Sequence, residues 1–409
     1  MHRSLALLGV GVFALGCAPA APRDPAAEPH VRPGIEVLLS DSAQLVRGRR
    51  VGLVTNQTGI DSRGMSDVEL MRDAGVQLVA LFSPEHGFRG AADPGAAIAT
   101  TIDSATGLPI YSLYGRTSAP TDSMLEGLDV IAIDLQDVGA RYYTYISTAV
   151  EVMRVAARRR LPVIILDRPN PIGGAMQGGM LDTAFSSFVG RLPVPMRHGL
   201  TMGEMARFAN DRLSIGATVH VVPAAGWHRD VAFDRTGLPF VPPSPNLRSL
   251  ESLFHYPGTC LFEGTTLSVG RGSDAAFEQI GAPWLDAPRV IAAMARRGLP
   301  GVAFSAVQFT PRRPGDGKYA DTALVGIRLR VTDRSRYDPT ATAVHLMAVI
   351  EGIHPEEMRW NARQFDRLAG TSTLRESLER GDDPAAIVRG WIDSRRTFQE
   401  IIRPYLIYR

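Results

Sequence analysis

The sequence predicts an α/β fold, in which a parallel-sheet domain is followed by a smaller α+β domain. The chain has 409 residues, too many for one ordinary core, which favours two domains. Short apolar runs alternate with helical patterns in the first half, which is typical of a parallel sheet covered on both faces. After a proline-rich stretch at residues 240–246 the pattern changes. The predicted domains are residues 34–235 and 236–409.

Five apolar runs predict the strands of the first domain, at residues 51–54, 77–82, 130–135, 163–166 and 219–222. Helices are predicted at 66–74, 147–160 and 201–213, and the first and last of these open on a capping-box spacing of Ser or Thr with Glu three residues later. The second domain has strand patterns at 302–309 and 324–331 and helical patterns at 339–352 and 383–402.

The N-terminus is typical of an exported protein. Residues 1–17 combine a short basic start, an apolar core and small residues before Cys17, as in a lipoprotein signal peptide. We expect a lipidated Cys17, an Ala- and Pro-rich tether at 18–33, and a periplasmic or cell-envelope protein held on a membrane by its lipid anchor. Ala14 stands where Leu is usual, so ordinary cleavage after Ala20 is the alternative.

Composition excludes several function classes. The net charge of +2, without a separate basic run, does not favour a nucleic-acid partner. No Gly-x-Gly-x-x-Gly follows the first strand and no His-x-x-x-His or Cys-x-x-Cys occurs, so we expect neither a dinucleotide cofactor nor a metal. Cys260, the only cysteine besides the predicted lipidation site Cys17, is expected to be a small buried apolar residue.

Four of the predicted strands run into polar residues at their carboxyl ends. Ligands of open parallel sheets bind beyond these ends, so we expect the four clusters to face one crevice. The candidate residues of these clusters are Asn56, Glu85, His86, Gln136, Asp137, Arg141, Tyr142, Tyr145, Arg168 and Asn170.

Glu85 is the first candidate for catalysis. It follows a strand and a proline, and a carboxyl group at a crevice rim suits a general acid. The alternative is a loop carboxylate paired with Arg89. Asp137 is a second candidate, although its spacing from Arg141 also fits a helical ion pair.

The tyrosines at 142, 143 and 145 fit either stacking on a sugar ring or packing in the core. Arg168 and Asn170 fit either ligand binding or plain turn chemistry between prolines. In the second domain Asn246 and Arg271 are candidate binding residues, and Glu263 is a candidate second carboxylate of a hydrolase pair, with a salt bridge to Arg271 as the alternative.

These segments resemble the exo-β-N-acetylmuramidase (NamZ-type) family, and the resemblance runs from about residue 35 to the C-terminus. The shared motifs are VTNQTG at 54–59, SPEHG at 83–87, DLQDVG at 134–139 with the RYYTY that follows, DRPNP at 167–171 and FEGT at 262–265. The resemblance implies a Rossmann-like domain joined to a smaller domain, with the active-site cleft between them. It also implies release of terminal β-1,4-linked N-acetylmuramic acid from the non-reducing end of peptidoglycan fragments, with Glu85 as the leading catalytic residue.

The implied substrate fits the residues. Its lactyl carboxylate suits an arginine partner, for which Arg141, Arg168 and Arg271 are candidates. Its 2-acetamido group can attack its own anomeric carbon, so Glu85 as acid and an orienting Asp137 or tyrosine would suffice, while a two-carboxylate mechanism with Glu263 stays open. The alternatives are a glycosidase for another terminal amino sugar and a lipid-anchored binding protein for cell-wall fragments.

Overall fold

The computed structural model describes residues 31–409. Cys17, the predicted signal peptide and the predicted tether up to His30 lie outside the described residues. Within the described part, none of the helices is both long and apolar enough to cross a membrane.

The structure contains a large mostly parallel sheet, a smaller antiparallel sheet and a two-stranded pair. The strands of the described chain are β1 (Arg50–Thr55), β2 (Gln77–Ser83), β3 (Thr101–Ile102), β4 (Pro109–Ser112), β5 (Val130–Asp134), β6 (Val163–Leu166), β7 (Gln177–Met180), β8 (Pro195–Arg197), β9 (Val219–Val222), β10 (Gln279–Ala282), β11 (Val302–Phe309) and β12 (Leu324–Val331). The helices are α1 (Gly34–Asp41), α2 (Asp67–Asp73), α3 (Tyr145–Arg159), α4 (Met202–Arg212), α5 (Leu250–Thr259), α6 (Ala287–Arg297), α7 (Pro339–Ile353), α8 (Ala362–Ala369), α9 (Thr373–Glu379), α10 (Pro384–Arg389) and α11 (Ile392–Ile402).

The large sheet confirms the predicted α/β fold. Its seven strands run in the order β3-β4-β2-β1-β5-β6-β9, and all pairs are parallel except the edge pair of β3 with β4. The five predicted strands form its β2-β1-β5-β6-β9 part. The apolar pattern did not predict β3 and β4. They have only two and four residues, and β4 begins at a proline, which is uncommon within strands.

The helix starts follow the predicted caps. Ser66 accepts from the backbone N–H of Glu69, whose side chain accepts from the backbone N–H of Ser66, and Thr201 and Glu204 form the same reciprocal pair. A third box at Ser249, with Ser252 in the Glu position, opens α5 and was missed because Ser is an uncommon partner there.

The second part of the chain packs α5, α6 and α7 with a three-stranded antiparallel sheet in the order β10-β12-β11. The prediction of one closing helix at residues 383–402 was wrong, because the structure divides it into α10 and α11. Gly390, a poor helix former, lies at the break, and the Trp391 indole packs beside Gly179 of β7.

The two parts share one apolar core and are linked by the C-terminus. A single cluster of buried side chains includes Tyr145 and Met153 from the first part and Phe277 from the second. The C-terminal residues return to the large sheet, where the hydroxyl of Tyr408 donates to Asp167 Oδ2 at 2.8 Å. This packing brings the carboxyl end of β2 against segments of the second part.

Candidate active site

A cavity of about 140 Å³ lies between the two parts of the chain. The first part contributes the turn after β2 and the segment after β5, and the second contributes the end of α5 and the loops on either side of Phe277. The polar side chains that line it include Glu85, His86, Tyr142, Thr144, Glu263 and Arg271.

Glu85 projects into this cavity from the turn that follows β2. Its side chain is buried, with 8% of the residue exposed. Oε1 accepts a hydrogen bond from the Gly95 backbone N–H at 3.0 Å, and Oε2 accepts one from the Thr144 hydroxyl at 2.7 Å. The alternative pairing with Arg89 is wrong, because that guanidinium lies 3.6 Å from Asp103. The carboxyl group is thus held by two neutral donors.

Tyr114 lies beside Glu85 and was not identified from the sequence. Burial, and then the neighbouring Glu85 carboxylate, raise the pKa of the Tyr114 phenol. The phenol therefore stays protonated at neutral pH and can donate to Glu85. Its position just beyond the end of a strand could have marked Tyr114 as a site residue. That strand is β4, which the apolar pattern did not predict.

His86 adopts a strained backbone conformation in the same turn. Its φ of 70° lies in the left-handed region, and Gly87 follows at φ 77°. Nδ1 lies 2.8 Å from the Ala92 carbonyl oxygen and must donate to it, which leaves Nε2 as an acceptor. Burial lowers the pKa of His86, so the ring is neutral at neutral pH.

Glu263 and Arg271 form an ion pair in the opposite wall of the cavity. Arg271 Nε donates to Glu263 Oε1, so the structure supports the salt-bridge alternative for these two residues. The guanidinium carbon lies 4.9 Å from the centroid of the Phe277 ring, a cation–π distance. Although burial opposes the charge, the adjacent Glu263 carboxylate raises the pKa of Arg271, which stays protonated.

Asp137 lies outside the lining of this cavity. Its Oδ2 accepts from the Gly139 backbone N–H at 2.7 Å and lies 3.2 Å from His198 Nε2, while its Oδ1 is buried without a partner among the described residues. The helical pair with Arg141 is wrong, because α3 begins only at Tyr145.

Arg141 also lies away from the cavity, which corrects its expected role in substrate binding. Its guanidinium is fully buried and donates to the backbone carbonyls of Gly179, Val194, Leu368 and Ala369, at 2.6–3.0 Å. Burial lowers the pKa of Arg141 to about 10. This arginine joins the β7–β8 pair to α8, and both of its terminal nitrogens are bonded to backbone carbonyls.

Arg168 is committed to an internal ion pair. Its guanidinium donates to both oxygens of Asp134, at 2.5 and 2.9 Å, and to the Ile60 carbonyl at 2.8 Å. Asn170 donates to the Leu200 carbonyl and accepts from the Ile172 backbone N–H, which is the turn chemistry that was its alternative.

Asn56, Gln136 and Tyr145 form hydrogen bonds within the protein. Asn56 Nδ2 donates to the Tyr145 hydroxyl at 2.7 Å, which donates to the Pro243 carbonyl at 2.9 Å. Gln136 donates to the carbonyls of Asp137 and Pro169, at 2.8 and 2.9 Å.

Tyr142 lines the cavity while its hydroxyl donates to the Pro257 carbonyl, and Tyr143 lines the cavity beside it. Asn246 lies between Ser244 and Leu247, which both line the cavity. Tyr142 is 2% exposed and its hydroxyl has an internal partner, so neither the hydroxyl nor an open ring face is available for a ligand.

The expectation of a single crevice for all four strand ends is only partly correct. Glu85, after β2, and Thr144, in the segment after β5, reach the cavity. Gln136 and Arg168 instead line a separate narrow hollow with Thr58. The reason is that Arg168, which follows β6, pairs with Asp134 at the end of β5 instead of reaching the cavity.

Comparison with known proteins gives consistent relatives over the whole described chain. The profile described as exo-beta-N-acetylmuramidase NamZ, N-terminal, matches residues 51–251, and its C-terminal counterpart matches residues 254–408. The peptidoglycan beta-N-acetylmuramidase NamZ of Bacillus subtilis (strain 168) is 39% identical over 400 residues, which cover 97% of this chain and 96% of that protein.

Two crystal structures of DUF1343 family proteins from Bacteroides fragilis NCTC 9343 are similar to this fold. One has a TM-score of 0.86 and 32% identity, and the similarity covers 94% of this chain and 100% of that one. The other has a TM-score of 0.74 and 30% identity, with 93% and 99% covered.

Proposed function

Because this chain belongs to the exo-beta-N-acetylmuramidase NamZ family, we propose that it is an exo-acting glycoside hydrolase of peptidoglycan fragments. The bond it hydrolyses joins a terminal β-1,4-linked N-acetylmuramic acid to the sugar that follows, at the non-reducing end. The similarity to the Bacillus subtilis enzyme over 97% of the chain supports this activity. Cell-wall turnover is the process that such a reaction serves.

The observation that carries the proposal is the buried Glu85 carboxyl in a cavity between the two domains. The cavity is small, at about 140 Å³, which favours removal of a terminal residue over cleavage within a polymer.

Glu85 is proposed as the general acid that protonates the glycosidic oxygen as the bond breaks. Its neighbours tolerate both protonation states. The Thr144 hydroxyl donates to the carboxylate, and the same hydroxyl can rotate and accept when the carboxyl group carries the proton. The Gly95 N–H keeps the other oxygen fixed, so the group does not swing away from the substrate.

The 2-acetamido group of the substrate is proposed as the nucleophile. Glu263 is the other carboxylate in the described lining, and its pairing with Arg271 makes it a weaker nucleophile. In the substrate-assisted route the acetamide oxygen bonds to the anomeric carbon while Glu85 donates its proton to the departing sugar. Water then opens the oxazolinium intermediate, with Glu85 accepting the proton. The neutral His86, which lines the cavity and keeps Nε2 as an acceptor, is proposed to orient the acetamide N–H.

Arg271 is proposed to recognise the lactyl carboxylate. Among the three arginines predicted for this role it is the one that lines the cavity, since Arg141 and Arg168 are committed to internal partners. Its Nε is bonded to Glu263, which leaves the two terminal nitrogens for a bidentate contact.

Export and membrane anchoring are proposed from residues 1–17 alone. In this proposal, lipidation of Cys17 holds the enzyme on an envelope membrane, where peptidoglycan fragments are released. Cleavage after Ala20 would instead give an unanchored periplasmic enzyme.

The decisive experiment incubates the purified protein with a disaccharide of N-acetylmuramic acid linked β-1,4 to N-acetylglucosamine and measures the sugars released. Free N-acetylmuramic acid is expected. Binding without release would favour a binding protein for cell-wall fragments. Faster cleavage of a chromogenic glucosaminide than of the matching muramide would favour a glycosidase for another amino sugar.

A further inference from the structure

Lys318 is the only lysine among the 44 Lys and Arg residues of the chain. Its ammonium group, which has three N–H donors, lies within hydrogen-bond distance of four backbone carbonyl oxygens. The acceptors are Phe262 at 3.3 Å, Glu263 at 3.0 Å, Thr265 at 2.6 Å and Leu267 at 2.9 Å, so at least one N–H is shared between two of them. Four oxygens that converge on one point suit the compact ammonium of lysine better than a planar guanidinium.

This ammonium group has no carboxylate in direct contact among the described residues, and burial lowers the pKa of Lys318. Desolvating a charge is costly unless its hydrogen bonds are replaced, and here carbonyl oxygens replace them. The first two of these carbonyls, of Phe262 and Glu263, belong to the short 3-10 helix Cys260–Gly264. The Phe262 carbonyl also accepts from the Thr265 backbone N–H, whereas Lys318 supplies a donor to the Glu263 carbonyl at the end of this helix.

The segment bonded to Lys318, residues 262–267, forms part of the cavity wall that contains the Glu263–Arg271 ion pair. It carries Glu263, which pairs with Arg271. It is also packed tightly against α8, because a Cβ at Gly264 would lie 2.6 Å from the Phe365 Cα. A shift of this segment would move Glu263 relative to Arg271 and the cavity.

The loop that carries Lys318 also contacts the segment that carries Arg271. This loop connects β11 to β12, and its Arg312 backbone N–H donates to the Gly272 carbonyl at 2.8 Å. Gly272 is next to Arg271 in the chain. One loop thus contacts the segments that carry both members of the ion pair. Lys318 bonds to the segment of Glu263, and the Arg312 backbone bonds to the segment of Arg271.

We propose that Lys318 is a positioning residue for the hydrolysis, which acts by seating the 262–267 segment so that the Glu263–Arg271 pair meets the substrate in one fixed geometry. This inference rests on the proposed glycosidase activity. The ammonium group does not touch the substrate, and it replaces what a bound monovalent cation would do in a ring of carbonyl oxygens.

The test compares the full-length protein with Lys318→Ala, using Arg313→Ala as a matched control. Arg313 is an exposed residue of the same loop. For the lysine variant we expect kcat on the muramic substrate to fall about tenfold to a hundredfold, with a smaller change in KM, because misplacement by about 1 Å has this effect. The control is expected to keep wild-type values.

Rescue separates positioning from a general loss of structure. Ammonium chloride is expected to restore several-fold activity to Lys318→Ala, relative to choline chloride at the same ionic strength, and to leave the wild type unchanged. A folded variant with wild-type kcat, or a loss that ammonium does not restore, would overturn the proposal. Should the alanine variant not fold, Lys318→Arg decides: a folded protein with reduced kcat supports the proposal, and wild-type kcat overturns it.

Hydrogen exchange gives a readout that does not depend on the reaction. Amides of residues 260–272 are expected to exchange faster in Lys318→Ala than in the wild type, and ammonium is expected to slow them again. Unchanged exchange would overturn the positioning role even in an active enzyme. Faster exchange in a protein whose wild type releases no muramic acid would instead count against the glycosidase activity alone.

Discussion

The Thr144 hydroxyl donates a hydrogen bond to Glu85 at 2.7 Å, joining the segment after β5 to the turn after β2 at the wall of the cavity. The two residues lie 59 positions apart in the sequence. Thr144 is also the residue immediately before α3, so the start of that helix fixes its position. The contact makes the orientation of the Glu85 carboxyl depend on the packing of the large sheet.

Glu85→Gln is expected to fold normally and to lose most of its hydrolysis. The amide has the same size and can still accept from Gly95, but it has no proton of suitable acidity to give the leaving group. Loss of a general acid typically costs about a hundredfold to ten-thousandfold in rate. The measurement is kcat on the muramic disaccharide, and near-normal turnover by the folded variant would remove Glu85 from this role.

Thr144→Val is expected to lower kcat by about tenfold, since a hydrogen bond to a charged group is worth about 1.5–3 kcal/mol. Valine has a similar shape and no hydroxyl, so packing at the start of α3 should be kept. Thr144→Ser retains the hydroxyl and is the matched control, for which most of the activity is expected. Equal activity of the valine and serine variants would show that this contact has no part in catalysis.

Arg271→Met is expected to reduce the preference for the muramic substrate over a glucosamine analogue by about tenfold or more, through loss of a charged hydrogen bond. Arg168→Met serves as the comparison, because its guanidinium is bonded to Asp134. The quantity to measure is the ratio of kcat/KM for the two sugars. If Arg271→Met keeps the wild-type ratio, selectivity comes from other donors or from the shape of the pocket.

Arg141→Met is expected to destabilise the fold by about 3 kcal/mol or more. Four buried carbonyls would lose a donor, although Val194 would still accept from the Leu181 backbone N–H, and each buried group left unsatisfied costs about 1–3 kcal/mol. Chemical denaturation measures the free energy of unfolding. A folded variant of wild-type stability whose sugar preference changes would restore Arg141 as a binding residue.

Stability is expected to fall as the pH drops from about 7 toward 5, with a contribution from His86. Burial lowers the pKa of this imidazole below its usual value of 6.5, so the unfolded chain binds a proton before the folded one does. The contribution of neutral His86 to the free energy of unfolding is complete above the pKa that the imidazole has in the unfolded chain. It is lost as the pH falls through the lower pKa that the imidazole has in the folded chain. Thermal unfolding across this range should be less pH-dependent in His86→Gln, and an unchanged dependence would contradict this assignment.

Cys17→Ala is expected to release the protein from membranes or to block its processing. Fractionation of expressing cells into membrane and soluble parts measures the outcome. A wild-type protein that is already soluble in the periplasm would favour cleavage after Ala20.

The features that could be predicted from the sequence are those that depend on residues close together in the chain. Apolar runs located the strands around the sheet centre, and the spacing of Ser66 to Glu69 located a helix start, because both are local relationships. The position of Glu85 just after a strand was enough to place it at the carboxyl edge of a parallel sheet, where ligands of such sheets bind.

Which charged side chains can meet a ligand depends on contacts between distant segments. Arg141, Arg168 and Arg271 were all candidates in the sequence, with Arg141 the weakest because of the nearby Asp137. In the structure the first donates to carbonyls as far as 228 positions away, the second pairs with Asp134, and the third lines the cavity. The physical reason is that a buried charge must be compensated by whatever groups the fold brings to it, and those groups come from distant segments. For the same reason the roles of Tyr114 and Lys318 could not be predicted from the sequence, since their partners lie in segments that only the folded chain brings together.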